Sequence, residues 1–366
     1  MSVGRYDVAA FIWPSYHHDP RMEHIWTEGD GEWMAVRNAR PRFRGHNQPR
    51  IPLLGYQDEA DPGVMGQHAR LALEHGVNVF CVDWYWYEGS PFLERQLNEG
   101  IMPGIKGTKM KFYLMWANHD AGLTWDPTTD RTDIFWRGGV DRETFEFIAH
   151  RWIERYFSHE NYYRIDGCPV LCLYDLPRFV QGIGGLNEAK SAIRWFRGSV
   201  RDAGFPGLHL QNTYMDQIPG DILRSCPELQ IGPSGTVSEL GFDSLTRYQW
   251  VHVAGPRDQD YSVWGELGVN DWDKLEEIGR VVPHVSIGWD NNPRFPTYRQ
   301  IVKNESPELF EGFLRRASGY LDAHPDLPGL LTINSWNEWT EGSYLLPDDN
   351  FLYDYLGAVK SVFNCQ

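Results

Sequence analysis

Short apolar runs of strand length alternate with longer stretches of helical period along almost the whole chain, and few folds accept that alternation. The runs lie at 8–13, 77–83, 111–116, 170–174, 208–212, 285–289 and 330–334. Between them the apolar spacing predicts helices over 66–75, 142–157, 188–203 and 306–323. The last opens with Ser306-Pro307-Glu308, an N-cap followed by proline at the first helical position. Gly76 and Gly204 come directly after two of the others, where helix ends favour glycine. With one further strand near 229–231, the pattern predicts an α/β chain whose eight strands form a single (β/α)8 TIM-type barrel over 1–366 with long βα loops, rather than a doubly wound sheet. The stretches 40–62 and 232–272 read as long ordered loops, and no 20–50-residue repeat or low-complexity linker interrupts them.

Charge and composition narrow the partners. The chain has 34 Lys and Arg against 50 Asp and Glu, a formal net charge of −16, and such a field repels nucleic-acid phosphate and anionic membrane surfaces. No stretch approaches the roughly 20 apolar residues a membrane helix needs. The N-terminus runs directly into the first strand with no charged-then-apolar leader, so the cytoplasm is the expected compartment unless a signal has been removed. Five cysteines, Cys81, Cys168, Cys172, Cys226 and Cys365, are scattered and odd in number, and read mostly as buried thiols rather than a disulfide framework. The 16 Trp, 18 Tyr and 18 Phe are more than a core of this size needs, and point to flat, partly wet ligands such as sugars. Oligomeric state is not legible.

Residues at the strand C-termini carry the functional signal, because in a barrel those ends converge on one mouth. Tyr16, His17, Asp83, Trp84, Trp116, Asn118, His119, Asp290, Asn291, Asn337 and Trp339 all end a strand or come just after one, and are expected to bind substrate through hydroxyl hydrogen bonds and ring stacking. Glu338 and Glu341, three residues apart beyond the last strand, are the expected catalytic pair. Two carboxyls in one dry pocket do not ionise together easily, so one stays an acid while the other serves as base. That division is the one glycosidic cleavage requires. His17-His18-Asp19 has no third ligand at a recognisable spacing, and no metal or cofactor is expected. Asp258-Gln-Asp260 and Asp271-Trp-Asp273 match a short pattern of metal-dependent sugar transferases that chance supplies readily in an acidic chain. Nucleophile elbows, Walker loops and a dinucleotide-binding glycine motif are missing from the sequence.

The run Asn337-Glu338-Trp339-Thr340-Glu341-Gly342 resembles the end of the last strand in the WbsX-type group of glycoside hydrolase family 99-like proteins. Further matches occur in the group's order across nearly the whole chain. They include Trp13-Pro14-Ser15-Tyr16-His17, Gly31-Glu32-Trp33, Gly45-His46, Trp116-Ala117-Asn118 and Trp289-Asp290-Asn291-Asn292-Pro293-Arg294. The resemblance implies a barrel acting on a glycan with retention of configuration and without a glycosyl-enzyme ester. By it, Glu338 would be the base toward the sugar's own 2-hydroxyl and Glu341 the acid, then base. Two departures stand out. His119 replaces the glutamate of a W-A-N-E run, and Leu346 replaces the glutamate of L-E-P-D. The group has also been labelled as glycosyltransferases of polysaccharide assembly, and an idle carbohydrate-binding barrel is the third reading.

Overall fold

The computed structural model describes residues 5–363. Eight parallel strands form its centre: β1 (Asp7–Ile12), β2 (Val79–Tyr87), β3 (Lys111–Trp116), β4 (Cys168–Leu173), β5 (His209–Thr213), β6 (Ser244–Thr246), β7 (His284–Ser286) and β8 (Leu330–Asn334). They are hydrogen-bonded in the spatial order β6-β5-β4-β3-β2-β1-β8-β7. The ring closes where Leu245 of β6 exchanges backbone bonds with Arg280 and Val282, just before β7, at 2.8 and 2.7 Å. The chain is a TIM barrel, as the alternation predicts.

The helices lie outside the barrel. Pro62–Glu74 is capped by Asp61, which accepts from the Gly63 and Val64 amides, and Arg142–Trp152 is capped by Asp141. Leu186–Asp202 and Pro307–Ala323 bury their apolar faces, the latter capped by Ser306 as expected. Gly76 and Gly204 adopt the positive φ of helix C-caps, 94° at each.

One strand differs from its predicted place. The segment 229–231 belongs to a 3-10 turn, Pro227–Ile231, and the sixth strand is Ser244–Thr246. The stretch 232–272, read as a loop, holds helices Gly232–Leu240 and Tyr261–Glu276 around that strand. Its Ser-Leu-Thr sequence gives no apolar run because the barrel interior here is polar. Thr246 Oγ1 meets Thr332 Oγ1 at 2.8 Å, and His284 bridges Thr332 and Ser286 at 2.9 Å each. Cys81, Cys172 and Cys226 are buried free thiols and Cys168 is half-buried; Cys365 lies outside the described residues. Among the described residues no helix is long and apolar enough to cross a membrane.

Candidate active site

A cleft of about 440 Å³ opens at the C-terminal ends of the strands, and every strand contributes to its wall. Trp13 follows β1; Asp83 and Tyr85 lie on β2; Met115 lies on β3, with Ala117 and His119 beyond it; Tyr174 and Asp175 follow β4. Met215 follows β5, Tyr248 follows β6, Asn291, Arg294 and Phe295 follow β7, and Glu338 and Glu341 follow β8. The last two are held by a small hairpin. Asn337–Glu338 pairs antiparallel with Ser343–Tyr344 across a 3-10 turn, Trp339–Glu341. Gly342 closes the turn at φ 63°, and a side chain there would meet the Arg50 guanidinium at 2.8 Å. The Asp290 amide donates to the Glu341 carbonyl at 2.7 Å, pinning the turn to the loop after β7.

One cation serves three acids at this wall. Arg294 Nη1 donates to Glu341 Oε1 at 2.6 Å, Nε donates to Glu32 Oε1 at 2.6 Å, and Nη2 lies 3.6 Å from Glu338 Oε1. Glu32 is fully buried, and accepts in addition from Ser15 Oγ at 3.1 Å and Thr340 Oγ1 at 2.9 Å. Glu338 also accepts from Tyr248 Oη at 2.9 Å, and Arg294 gathers the Glu338 and Glu341 carboxyls on one guanidinium. Burial and then the charge of Glu338 hold the Glu341 carboxyl well above the usual carboxylate range. Burial raises Glu338 as well, opposed by Arg294 and by the Tyr248 hydrogen bond. The pair therefore resists double ionisation, and Glu341 is the more strongly raised of the two. Burial raises Asp175, the N-cap of Leu176–Ile183, to about 6. His119 is lowered by burial and hydrogen-bonds the Asp120 carbonyl through Nδ1 at 2.9 Å. The neutral ring thus donates from Nδ1 and leaves Nε2 as an acceptor.

A family model described as Glycosyltransferase WbsX matches residues 8–359. The chain belongs to the WbsX family. The uncharacterized protein WxcX of Xanthomonas campestris pv. campestris strain B100 is 30% identical over 372 residues, covering 96% of this chain. The chain spans 49% of that relative's length. Among solved structures, the GH99 endo-alpha-mannosidase of Bacteroides thetaiotaomicron superposes with a TM-score of 0.57 at 16% identity, covering 97% of this chain and 94% of that one. A glycoside hydrolase-like protein superposes with a TM-score of 0.62 at 15% identity, covering 99% and 95%. At these identities the likeness is one of fold, and that fold is the barrel of glycoside hydrolases.

In this WbsX-family barrel the cleft brings together Asp83, His119, Asn291, Glu338 and Glu341 of the residues singled out from sequence. The others stand behind it or outside the barrel. Trp84 packs edge-on against Trp152 at 5.3 Å and donates to Glu94, while Trp116 stacks on Phe145 and meets Trp152 at 5.5 Å. Asn118 exchanges two 2.8 Å hydrogen bonds with the Asp175 backbone, tying the ends of β3 and β4 together. Asn337 does the same for Trp13 at 2.9 Å and also donates to Glu59. Tyr16 Oη accepts from the Trp339 amide at 3.0 Å, and Trp339 stacks on Tyr344 at 3.8 Å. Both His17 nitrogens face backbone carbonyls, and Asp290 accepts from His46 and Gln48 at 2.8 and 2.7 Å. These are supports of the cleft, not its surface.

The short acidic pairs lie elsewhere too. Asp271 is held by buried Arg247 at 2.7 Å, and Asp258 bonds Tyr298 on the exposed surface. Trp13, Tyr85, Tyr174, Tyr248 and Arg294 line the cleft without having been singled out. For Tyr85 the signal was available: Asp83 points inward, so the pleat of β2 sends Tyr85 inward and Trp84 outward.

Proposed function

We propose that this chain is a retaining glycoside hydrolase that cleaves a poly- or oligosaccharide with participation of the sugar's own 2-hydroxyl. The supporting observation is the Glu338–Glu341 pair, two carboxyls gathered on one guanidinium at the wall of an aromatic cleft of the size of a sugar site. The 2-hydroxyl attacks C1 from the face opposite the leaving oxygen, so the acid and the base must reach trans substituents on neighbouring carbons, one on each side of the ring. Glu341 donates its proton to the leaving oxygen as that bond to C1 breaks. Glu338 takes the 2-hydroxyl proton as that oxygen bonds C1. Water then opens the resulting ring with Glu341, now ionised, as base and Glu338 returning its proton. Arg294 fixes the distance between the two carboxyls and tempers their repulsion. Tyr85, Trp125 and Tyr174 offer ring faces and edges to the sugar.

The GH99 likeness supports a glycan substrate, and the transferase description of the family leaves a rival with a clear test. Digestion of a broad polysaccharide panel, read by product mass and by NMR of the first anomer released, is expected to show water-dependent cleavage with retained configuration. An inverted first product would overturn the mechanism. Turnover that requires a nucleotide sugar, with stabilisation by nucleoside diphosphate in thermal shift, would favour transfer.

A further inference from the structure

Tyr248 imposes a proton count on the two carboxyls beside it. Its one hydroxyl stands 3.0 Å from Asp83 Oδ2 and 2.9 Å from Glu338 Oε2. A phenol has a single hydrogen to donate, so with both acids ionised one contact would set the phenol oxygen against a bare carboxylate oxygen. The two sides are not equivalent. Glu338 also accepts from Asn334 Nδ2 at 3.4 Å and faces the Arg294 guanidinium at 3.6 Å. Asp83 is 3% exposed, and its Oδ1 has no hydrogen-bond partner among the described residues. A buried carboxylate oxygen without a donor is costly, whereas a neutral carboxyl there is tolerated.

We propose that Asp83 stays protonated in the resting enzyme and donates to Tyr248, which donates to Glu338, making Asp83 a positioning residue that keeps Glu338 ionised as the base. The inference rests on the reading of Glu338 as base and adds a third carboxyl to it. Two hydrogens fill the two contacts, and Glu338 Oε1 is left to the substrate. When Oε1 takes the 2-hydroxyl proton, the O–H bond breaks, the oxygen bonds C1, and the leaving oxygen departs with the proton of Glu341. Asp83 and Tyr248 keep theirs throughout. The other titratable groups facing the three are Glu341 and Arg294 on the cleft side, Glu32 on the far side of Arg294, and Tyr85 on β2. Tyr174 lies edge-on to Tyr248 at 5.4 Å, His252 stacks on it at 6.4 Å, and Cys81 and Cys172 lie behind Asp83. Burial and then the charge of Glu338 also push the Asp83 carboxyl upward.

Protein labelled with carbon-13 at the aspartate carboxyls, titrated by NMR without any substrate, tests the proton directly. One aspartate signal is expected to keep its protonated shift to pH 8 and to vanish in Asp83→Asn; Asp175, raised to about 6, is ionised by then. No such signal, or one that survives in Asp83→Asn, overturns the inference. If Asp83→Asn does not fold, the signal must instead move in Tyr248→Phe, and an unmoved signal counts against it. Because this readout needs no glycan, it fails or succeeds separately from the hydrolase reading. On a glycan the enzyme opens, Tyr248→Phe is expected to raise the acid limb of kcat/KM by about one pH unit. Asp83→Asn, which retains an N–H donor, should lose less turnover than Asp83→Ala. An unmoved acid limb, or the reverse order of losses, overturns the relay.

Discussion

A guanidinium that reaches Glu32, Glu338 and Glu341 at once makes Arg294 the residue on which the wall of the cleft depends. Its desolvation is offset only while all three acids surround it, and theirs only while it is present. Arg294→Met is therefore expected to cost about 3–5 kcal/mol, the usual loss when one partner of a buried pair is removed. Urea unfolding measures it. Adding Glu32→Gln to that variant should recover part of the loss, since the orphaned charge goes with it. A loss under about 1 kcal/mol would mean the network behaves as a solvated surface pair. Arg294 was visible in the sequence only as the last residue of a motif, because nothing local says that a cation after β7 will meet acids from 32, 338 and 341.

At the scale of the strand, the pleat decides which aromatic residue meets ligand and which meets helix. Asp83 and Met115 are cross-strand neighbours pointing inward, so the residues after them, Trp84 and Trp116, also paired in register, point out. Trp116→Ala is expected to lower stability by about 3–5 kcal/mol through the cavity it leaves beside Phe145 and Trp152, with KM unchanged. Trp125→Ala, at the cleft wall, should raise KM several-fold in addition to lowering stability, since its ring also packs against Trp13 and Phe92. Denaturation and Michaelis kinetics on both variants check this, and a KM raised by Trp116→Ala but unmoved by Trp125→Ala would refute the reading of which ring meets ligand. The same alternation explains what the sequence made legible. The apolar strands and the Ser306 cap announce themselves through period and capping chemistry. Ser244–Thr246 does not, because its inward side chains hydrogen-bond to other strands instead of packing apolar surface. Once that strand is unseen, Tyr248 cannot be placed in the mouth. Glu338 and Glu341 reach the cleft as their strand-end position predicts, whereas Trp84 and Trp116 lie behind it because the pleat turns them outward.

Across the whole molecule, acids buried without cations link stability to pH. Glu59 is fully buried, accepts from Asn337 and Gln96, and burial pushes its carboxyl well above the usual range. The folded state thus holds a proton that the unfolded chain releases above about pH 4. Its contribution is complete below the unfolded pKa and is lost as pH rises through the window up to the folded one. Glu59→Gln, permanently neutral, should gain stability over wild type at pH 8 and show no such gain at pH 4; denaturant midpoints at both pH values test it. Equal increments would show that titration plays no part. The central claim concerns the pair at the end of β8, and turnover tests it. On a glycan that wild type opens, Glu338→Gln and Glu341→Gln are each expected to lose about 100-fold or more in kcat with the fold intact by circular dichroism. Retention of wild-type turnover by both variants would contradict the assignment.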